Sequence, residues 1–223
     1  MVSDLYKKKK VLAVIPSRKG SKGLKKKNIK LINGKPLVEW TIKLSNKIKL
    51  FDNIVISSDC EETREISKNY HCDFIKRPKL ISNSRATTDS VLIHVLKVLK
   101  NKNFDFIVTL EPTSPLRKIE TIMKCIKRAI DKNYNSLITI KSNKELIGKI
   151  DGDYFRPVIN KNFRRRQDRN IFFSETGVAY ITKVDFLKKH KKMISNDTGF
   201  IVVDTVESID INNIFDFIFV ESL

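Results

Sequence analysis

Short continuous apolar runs alternate along this chain with longer stretches in which apolar residues recur every three or four positions. The runs lie at residues 11–15 (VLAVI), 53–57 (NIVIS), 73–76 (DFIK), 104–110 (FDFIVTL) and 136–140 (SLITI). Unbroken apolarity, in place of strict alternation, predicts strands buried on both faces of a parallel sheet. Helical periodicity covers residues 37–47, 61–69, 89–100 and 119–132. Val91, Leu92, Val95, Leu96 and Leu99 fall on one helical face, as do Ile122, Met123, Ile126, Ala129 and Ile130. Pro36 suits a first helical turn. Asp59, and Thr87 or Thr88, are placed as N-caps. Strand–helix alternation of this kind predicts a doubly wound α/β sheet.

The pattern breaks over residues 141–175. Gly148, Gly152 and Pro157 interrupt it, and short β-like pieces (Lys149-Ile150, Tyr154-Phe155) precede the basic stretch NFRRRQDRN. This segment is expected to form a β-rich arm inserted in a single domain spanning residues 1–223. Beyond it, residues 178–182 and 200–203 read as strands and residues 213–221 as a terminal helix.

Composition narrows the function classes. At 223 residues and 41% hydrophobic, the chain can bury a core of ordinary size. No apolar run approaches the roughly 20 residues of a membrane span, and MVSDLYKKKK followed by five apolar residues makes a poor signal peptide. Three cysteines without metal-like spacing fit a reducing cytoplasm. The formal charge of +19 invites nucleic acid as a partner. The lysines are dispersed, however, and no aromatic residues interleave with a basic run, so charge is read as a property of the surface.

The most informative stretch is IPSRKGSKGLKKKN, residues 15–28, which leaves the first strand with one Arg, five Lys and two Gly. Ligands of open α/β sheets sit beyond the carboxyl ends of the strands. Gly20 and Gly23 let the backbone curl and expose N–H groups, Arg18, Lys22 and Lys27 supply cations, and Ser21 adds a hydroxyl. Together they suit a cradle for a polyphosphate. Neither GxGxxG nor GxxxxGK[ST] is present, and Asn33-Gly34-Lys35-Pro36 reads as a turn before a helix.

The same stretch resembles the pattern IPARGGSKGIPxKN of the acylneuraminate cytidylyltransferases, the CMP-sialic acid synthetases and their relatives acting on legionaminic or pseudaminic acids. NGKPLVEWTI, IVISSD, RPKLISNSRATTDSVLIHVL, LEPTSPLR and SIDINNIFDF continue the resemblance in order over nearly the whole chain. The related Kdo cytidylyltransferases typically show IPARxxSxRLPxKPL at the loop. Ser-Lys-Gly and Lys-Asn here are closer to the sialic-acid side, leaving a Kdo or amino-Kdo enzyme as the alternative.

The resemblance implies a Rossmann-like nucleotidyltransferase fold, a homodimer with the 141–175 arm crossing to its partner, and CMP transfer from CTP to an acidic 2-keto sugar with release of pyrophosphate. Arg18, Lys22 and Lys27 would counter the triphosphate's charge. Ser21 and Asn28 match nucleotide contacts, and Arg77 and Thr88 match positions near cytosine and ribose. Mg²⁺ is implied, with Asp210 and Asn212 as ligands. Alternation in Ser208-Ile209-Asp210-Ile211-Asn212 sets those two on one side of an extended segment. The family has a second aspartate where Asn212 stands, so metal affinity here is expected to be lower or the contact indirect. Glu111, Arg166 and Gln167 match sugar contacts, with Arg suited to a carboxylate. Glu111 replaces the usual Gln and can only accept hydrogen bonds when ionised. Ser174-Glu175-Thr176-Gly177 replaces the family's Arg-x-Asn-Gly, a second change in the sugar contacts. His71, His94 and His190 suggest no catalytic arrangement.

Overall fold

The computed structural model describes residues 6, 8–20, 23–159 and 164–223. β1 (Val11–Pro16) leads through a 3₁₀ turn (Lys27–Ile29) to the hairpin of β2 (Leu31–Ile32) and β3 (Lys35–Pro36). Then follow α1 (Leu37–Asn46), β4 (Asn53–Ser58), α2 (Glu61–Ser67) and β5 (Asp73–Lys76). α3 (Thr88–Val98), β6 (Phe106–Thr109), α4 (Ile119–Asp131) and β7 (Ser136–Asn143) continue the alternation. A second hairpin, β8 (Ile147–Asp151) and β9 (Tyr154–Ile159), precedes β10 (Phe172–Lys183), α5 (Val184–His190), β11 (Gly199–Val202) and α6 (Ile214–Glu221).

Seven strands form the main sheet in the order β11-β7-β10-β6-β1-β4-β5. All its pairings are parallel except those of β10, which runs antiparallel to both β6 and β7. β1 explains the unbroken apolar runs. Val11, Ala13 and Ile15 face a cluster with Val38 and Ile42 of α1 and Ile122 and Ile126 of α4. Leu12 and Val14 face Leu92 and Val95 of α3 and Leu187 of α5 on the other side. Helices cover both faces, so the strand has no solvent side to mark with polar residues.

Strand order reverses beside β1: β4 and β5 lie to one side of it, β6 to the other. In such sheets the ligand crevice opens at this switch point, beyond the carboxyl ends of the strands. A third, small cluster closes one end of it, where Ile32 and Leu37 meet Ile211 and the α6 residues Phe217 and Val220.

Several local features depart from the expectations above. Cys60 occupies the N-cap position of α2 without a side-chain capping bond, its Sγ donating to Glu62 Oε2 at 3.1 Å. Asp59 instead accepts the Lys19 N–H at 2.7 Å, anchoring the basic loop. Thr87, not Thr88, caps α3 by accepting from Ser90 N. α5 was not anticipated, since seven residues with Val184 and Leu187 as their buried pair carry little periodic signal. β10 begins six residues earlier than expected; its register against β7 shifts between Glu175 and Tyr180, and that irregularity breaks the apolar pattern. Asn33 (φ 46°) and Gly34 (φ 75°) form the tight turn of the β2–β3 hairpin. Within the 141–175 stretch, β8 and β9 form a separate two-stranded sheet.

Candidate active site

The loop after β1 is tied down at several points. Ser17 N donates to Ser57 O at 2.9 Å, Lys19 N to Asp59, and Asn28 Nδ2 to Arg18 O at 3.1 Å. Lys27 Nζ donates to the Ile211 carbonyl. A Cβ on Gly23 would lie 2.2 Å from the Asn212 carbonyl oxygen, so only glycine lets the loop lie against the 208–212 segment. Ser21 and Lys22 lie outside the described residues.

Beneath this loop, at the switch point, is a cleft of about 300 Å³ lined by Arg18, Gly23, Lys27, Asn28, Arg77, Thr87, Thr88, Glu111 and Asn212. Three cations among the described residues therefore face one cavity. Arg77 is 5% exposed and donates to Ser57 O at 2.7 Å. Burial lowers its pKa to about 10, with Asp59 opposing the shift, so it stays charged at neutral pH. Burial also lowers the pKa of Lys27, offset in part by Asp210, Glu111 and Asp216. Since Thr87 makes the cap, the Thr88 side chain is free to line the cleft. His94, two turns along α3, has a buried Nδ1 with no partner among the described residues; burial, then Arg77 and Lys97, hold its pKa down.

A second cleft of about 500 Å³ adjoins the first, sharing Glu111 and Asn212 with it. Its walls carry Lys141, Glu175, Gly177, Tyr180, Asp210 and Asp216. Glu111 sits at the seam. Burial raises its pKa and Asp210 raises it further, while Arg117 and Lys27 oppose the shift. Arg117 is 4% exposed. Its Nε donates to Ser114 O at 2.9 Å, and its Nη2 donates to the Glu111 carbonyl and lies 3.5 Å from that of Gly177. This one guanidinium joins the segment after β6 to β10. Burial lowers its pKa to about 10, with Glu111 and Asp210 opposing. Tyr180 donates its hydroxyl to Glu175 Oε1 at 2.6 Å. A cationic cleft thus opens directly into an acidic one.

Comparison with known proteins decides what kind of cleft pair this is. The family model described as "Cytidylyltransferase" matches residues 12–197. The chain belongs to that family. It is 30% identical over 225 residues to the CMP-N,N'-diacetyllegionaminic acid synthase of Legionella pneumophila, covering 96% of each protein. It is 25% identical to the N-acylneuraminate cytidylyltransferase of Escherichia coli, where it spans 93% of itself and half the length of that relative. The structure of CMP:2-keto-3-deoxy-manno-octonic acid synthetase complexed with CTP superposes with a TM-score of 0.71 at 13% identity, covering 96% of this chain and 97% of that one. The likeness establishes the Rossmann-like nucleotidyltransferase fold.

In this cytidylyltransferase family member, Arg18, Lys27, Asn28, Arg77 and Thr88 come together around one cleft, with Glu111 at its seam. Asp210 and Asn212 are neighbours: Asn212 Nδ2 donates to Asp210 Oδ2 at 2.9 Å, while Asp210 Oδ1 is buried with no hydrogen-bond partner among the described residues. Among the described residues, no cluster of three or more His, Cys, Asp or Glu could hold a metal ion. One carboxylate of the second cleft, with an unused oxygen beside Asn212, fits a hard cation that takes its remaining ligands from phosphate and water, not a protein cage.

Arg166 and Gln167 are not brought to Glu111. They line a separate cleft of about 620 Å³ with Lys144 and Ile171, and only Lys141 is common to it and the acidic cleft. The strands β7 and β10 run past the seam before reaching these residues, which carries them outward. Of the neighbouring arginines, Arg169 donates to the Lys144 and Arg164 carbonyls.

Sequence reasoning missed Arg117, Tyr180, Glu207 and Asp216. Glu207 is 3% exposed and accepts from Lys118 N at 2.9 Å and Thr121 Oγ1 at 3.0 Å. It satisfies the start of α4, whose N-cap residue Lys118 makes no side-chain cap. Asp216 accepts the Asn212 and Asn213 N–H groups at 2.8 and 3.0 Å, completing a capping box that fixes α6 beside the seam. For Asp216 the available signals were the Asn-x-x-Asp spacing and its place in SIDINNIFDF.

Proposed function

We propose that this chain transfers CMP from CTP to a sialic-acid-like nonulosonic acid. A hydroxyl oxygen of the sugar bonds to the α-phosphorus, the bond from that phosphorus to pyrophosphate breaks, and the hydroxyl proton leaves to solvent. The observation that carries the proposal is the junction of a cationic and an acidic cleft at Glu111 and Asn212, in a chain that aligns end to end with a legionaminic acid synthase. A Kdo-type acceptor is the alternative, and the 13% identity to the Kdo synthetase supports it less well.

In this account Arg18, Lys22 and Lys27 hold the triphosphate and offset charge as the α–β bond breaks. Ser21 and Asn28 orient the nucleotide, and Arg77 and Thr88 stand beside its cytosine and ribose. Glu111 accepts from a sugar hydroxyl or N–H at the seam. Arg166 and Gln167 contribute to sugar binding from the outer cleft, where a partner copy's seam can be reached if the arm pairs two chains. Asp210 Oδ1 and the Asn212 side-chain oxygen would hold Mg²⁺, which when bound neutralises triphosphate charge. Among the described residues no helix is long and apolar enough to cross a membrane, and we assign the reaction to the cytoplasm, where CTP is supplied.

The test is pyrophosphate release by the purified protein with CTP, Mg²⁺ and a panel of N-acetylneuraminic, legionaminic and pseudaminic acids and Kdo. Release is expected with at least one nonulosonic acid. Release with Kdo alone transfers the assignment to the alternative, and silence with all four refutes both.

A further inference from the structure

Gly177 lies inside β10, and its φ is outside the left-handed range, so backbone conformation does not call for glycine there. Space does. A Cβ at Gly177 would stand 2.8 Å from Ser114 Oγ and 3.5 Å from Asp210 Oδ1. The two oxygens flank one point beside the Gly177 Cα and are at most about 6 Å apart, the span of one bridging water.

Both oxygens are buried with no hydrogen-bond partner among the described residues, and Ser114 is 0% exposed. Backbone bonds bring them together. Ile211 N donates to Thr113 O at 2.8 Å. Arg117 Nε donates to Ser114 O at 2.9 Å, and its Nη2 lies 3.5 Å from Gly177 O. Arg117 Nη1, on the same guanidinium, is a third buried group with no partner among the described residues. A hydroxyl can donate, whereas an ionised carboxylate only accepts. Leaving either unpaired in the interior costs free energy, and buried waters bind where two to four such groups converge.

We propose that Ser114 is a positioning residue for Asp210: its hydroxyl donates to a water bound against Gly177, and that water donates to Asp210 Oδ1. The Asn212 amide already holds Oδ2 at 2.9 Å, so both oxygens of the carboxylate become fixed. Oδ1 keeps a second lone pair for a cation. This rests on the Mg²⁺ site proposed above and specifies what orients its carboxylate, since groups behind a metal ligand tune its affinity.

Mn²⁺ is the probe. Its binding to the protein–CTP complex, without acceptor, is read by water-proton relaxation against CTP and Mn²⁺ alone. Ser114→Ala should weaken Mn²⁺ binding by about tenfold or more, the scale seen when a group orienting a metal ligand is lost. Gly177→Ala, whose methyl takes the water's place, should do likewise. Calorimetry of CTP with chelator present should give the parent's affinity in Ser114→Ala, which general damage to the cleft would not. Unaltered Mn²⁺ affinity in either variant overturns the proposal and leaves cytidylyltransfer intact, as does an equal loss of metal-free CTP binding. A parent complex that takes up no Mn²⁺ beyond that of CTP alone removes the metal site and this inference together, while pyrophosphate release still judges the transfer itself.

Discussion

Arg117 shows how a single side chain can hold a site together without declaring itself in the sequence. Its guanidinium serves the Glu111 and Ser114 carbonyls and reaches toward Gly177, so removing it leaves buried acceptors unpaired. Arg117→Met should lower unfolding free energy by about 3 kcal/mol or more, measured by urea denaturation. Glu111 makes a second prediction. Its folded-state pKa lies above the ordinary 4.5, so its stabilising contribution is complete below that value and is lost as pH rises through the folded pKa. Glu111→Gln should therefore melt higher than the parent near pH 7.5, without CTP and with chelator present. The gap should close as pH falls toward 4.5; a gap independent of pH would contradict the burial argument. That Arg18, Lys27 and Glu111 share one cleft was legible because loop composition and motif order mark them. Arg117 stood in the LEPTSPLR motif, but burial of an arginine has no periodic signature.

Among the elements, the loop after β1 is a precision fit, with Gly23 against the Asn212 carbonyl. Gly23→Ala should weaken CTP binding by about tenfold or more, read by calorimetry, because loop and seam must separate; unaltered affinity would mean that the loop closes differently. Glu207→Ala removes the distant cap of α4 and should cost about 1–2 kcal/mol in thermal or chemical unfolding. The strand–helix alternation was readable because β1, β4 and β6 are covered on both sides, so that their central residues are apolar on both faces. β10 was only partly readable. Its irregularity is stitched by the buried Thr139 hydroxyl, which accepts from Thr176 Oγ1 at 2.7 Å and Ala179 N at 3.2 Å. Polar residues in such a place look like a loop when only the sequence is known.

At the scale of the whole molecule, the β8–β9 hairpin stands as a sheet of its own and exposes Ile150 (82%), Tyr154 (66%) and Phe155 (54%). Exposed apolar area of this kind supports the proposed homodimer through the arm. Replacing both Ile150 and Phe155 with Asp should convert a dimer in sedimentation velocity to a monomer, and an unchanged species would exclude the hairpin as the contact. The dispersed charge of +19 coexists with a cleft lined by four carboxylates, a local inversion that total composition hides. The most direct test of cytidylyltransfer is a ³¹P NMR time course of the protein with CTP, Mg²⁺ and a nonulosonic acid. The account predicts loss of the three triphosphate resonances with matched growth of pyrophosphate and a single phosphodiester signal from the CMP-sugar. Growth of CDP and inorganic phosphate without a phosphodiester would contradict it.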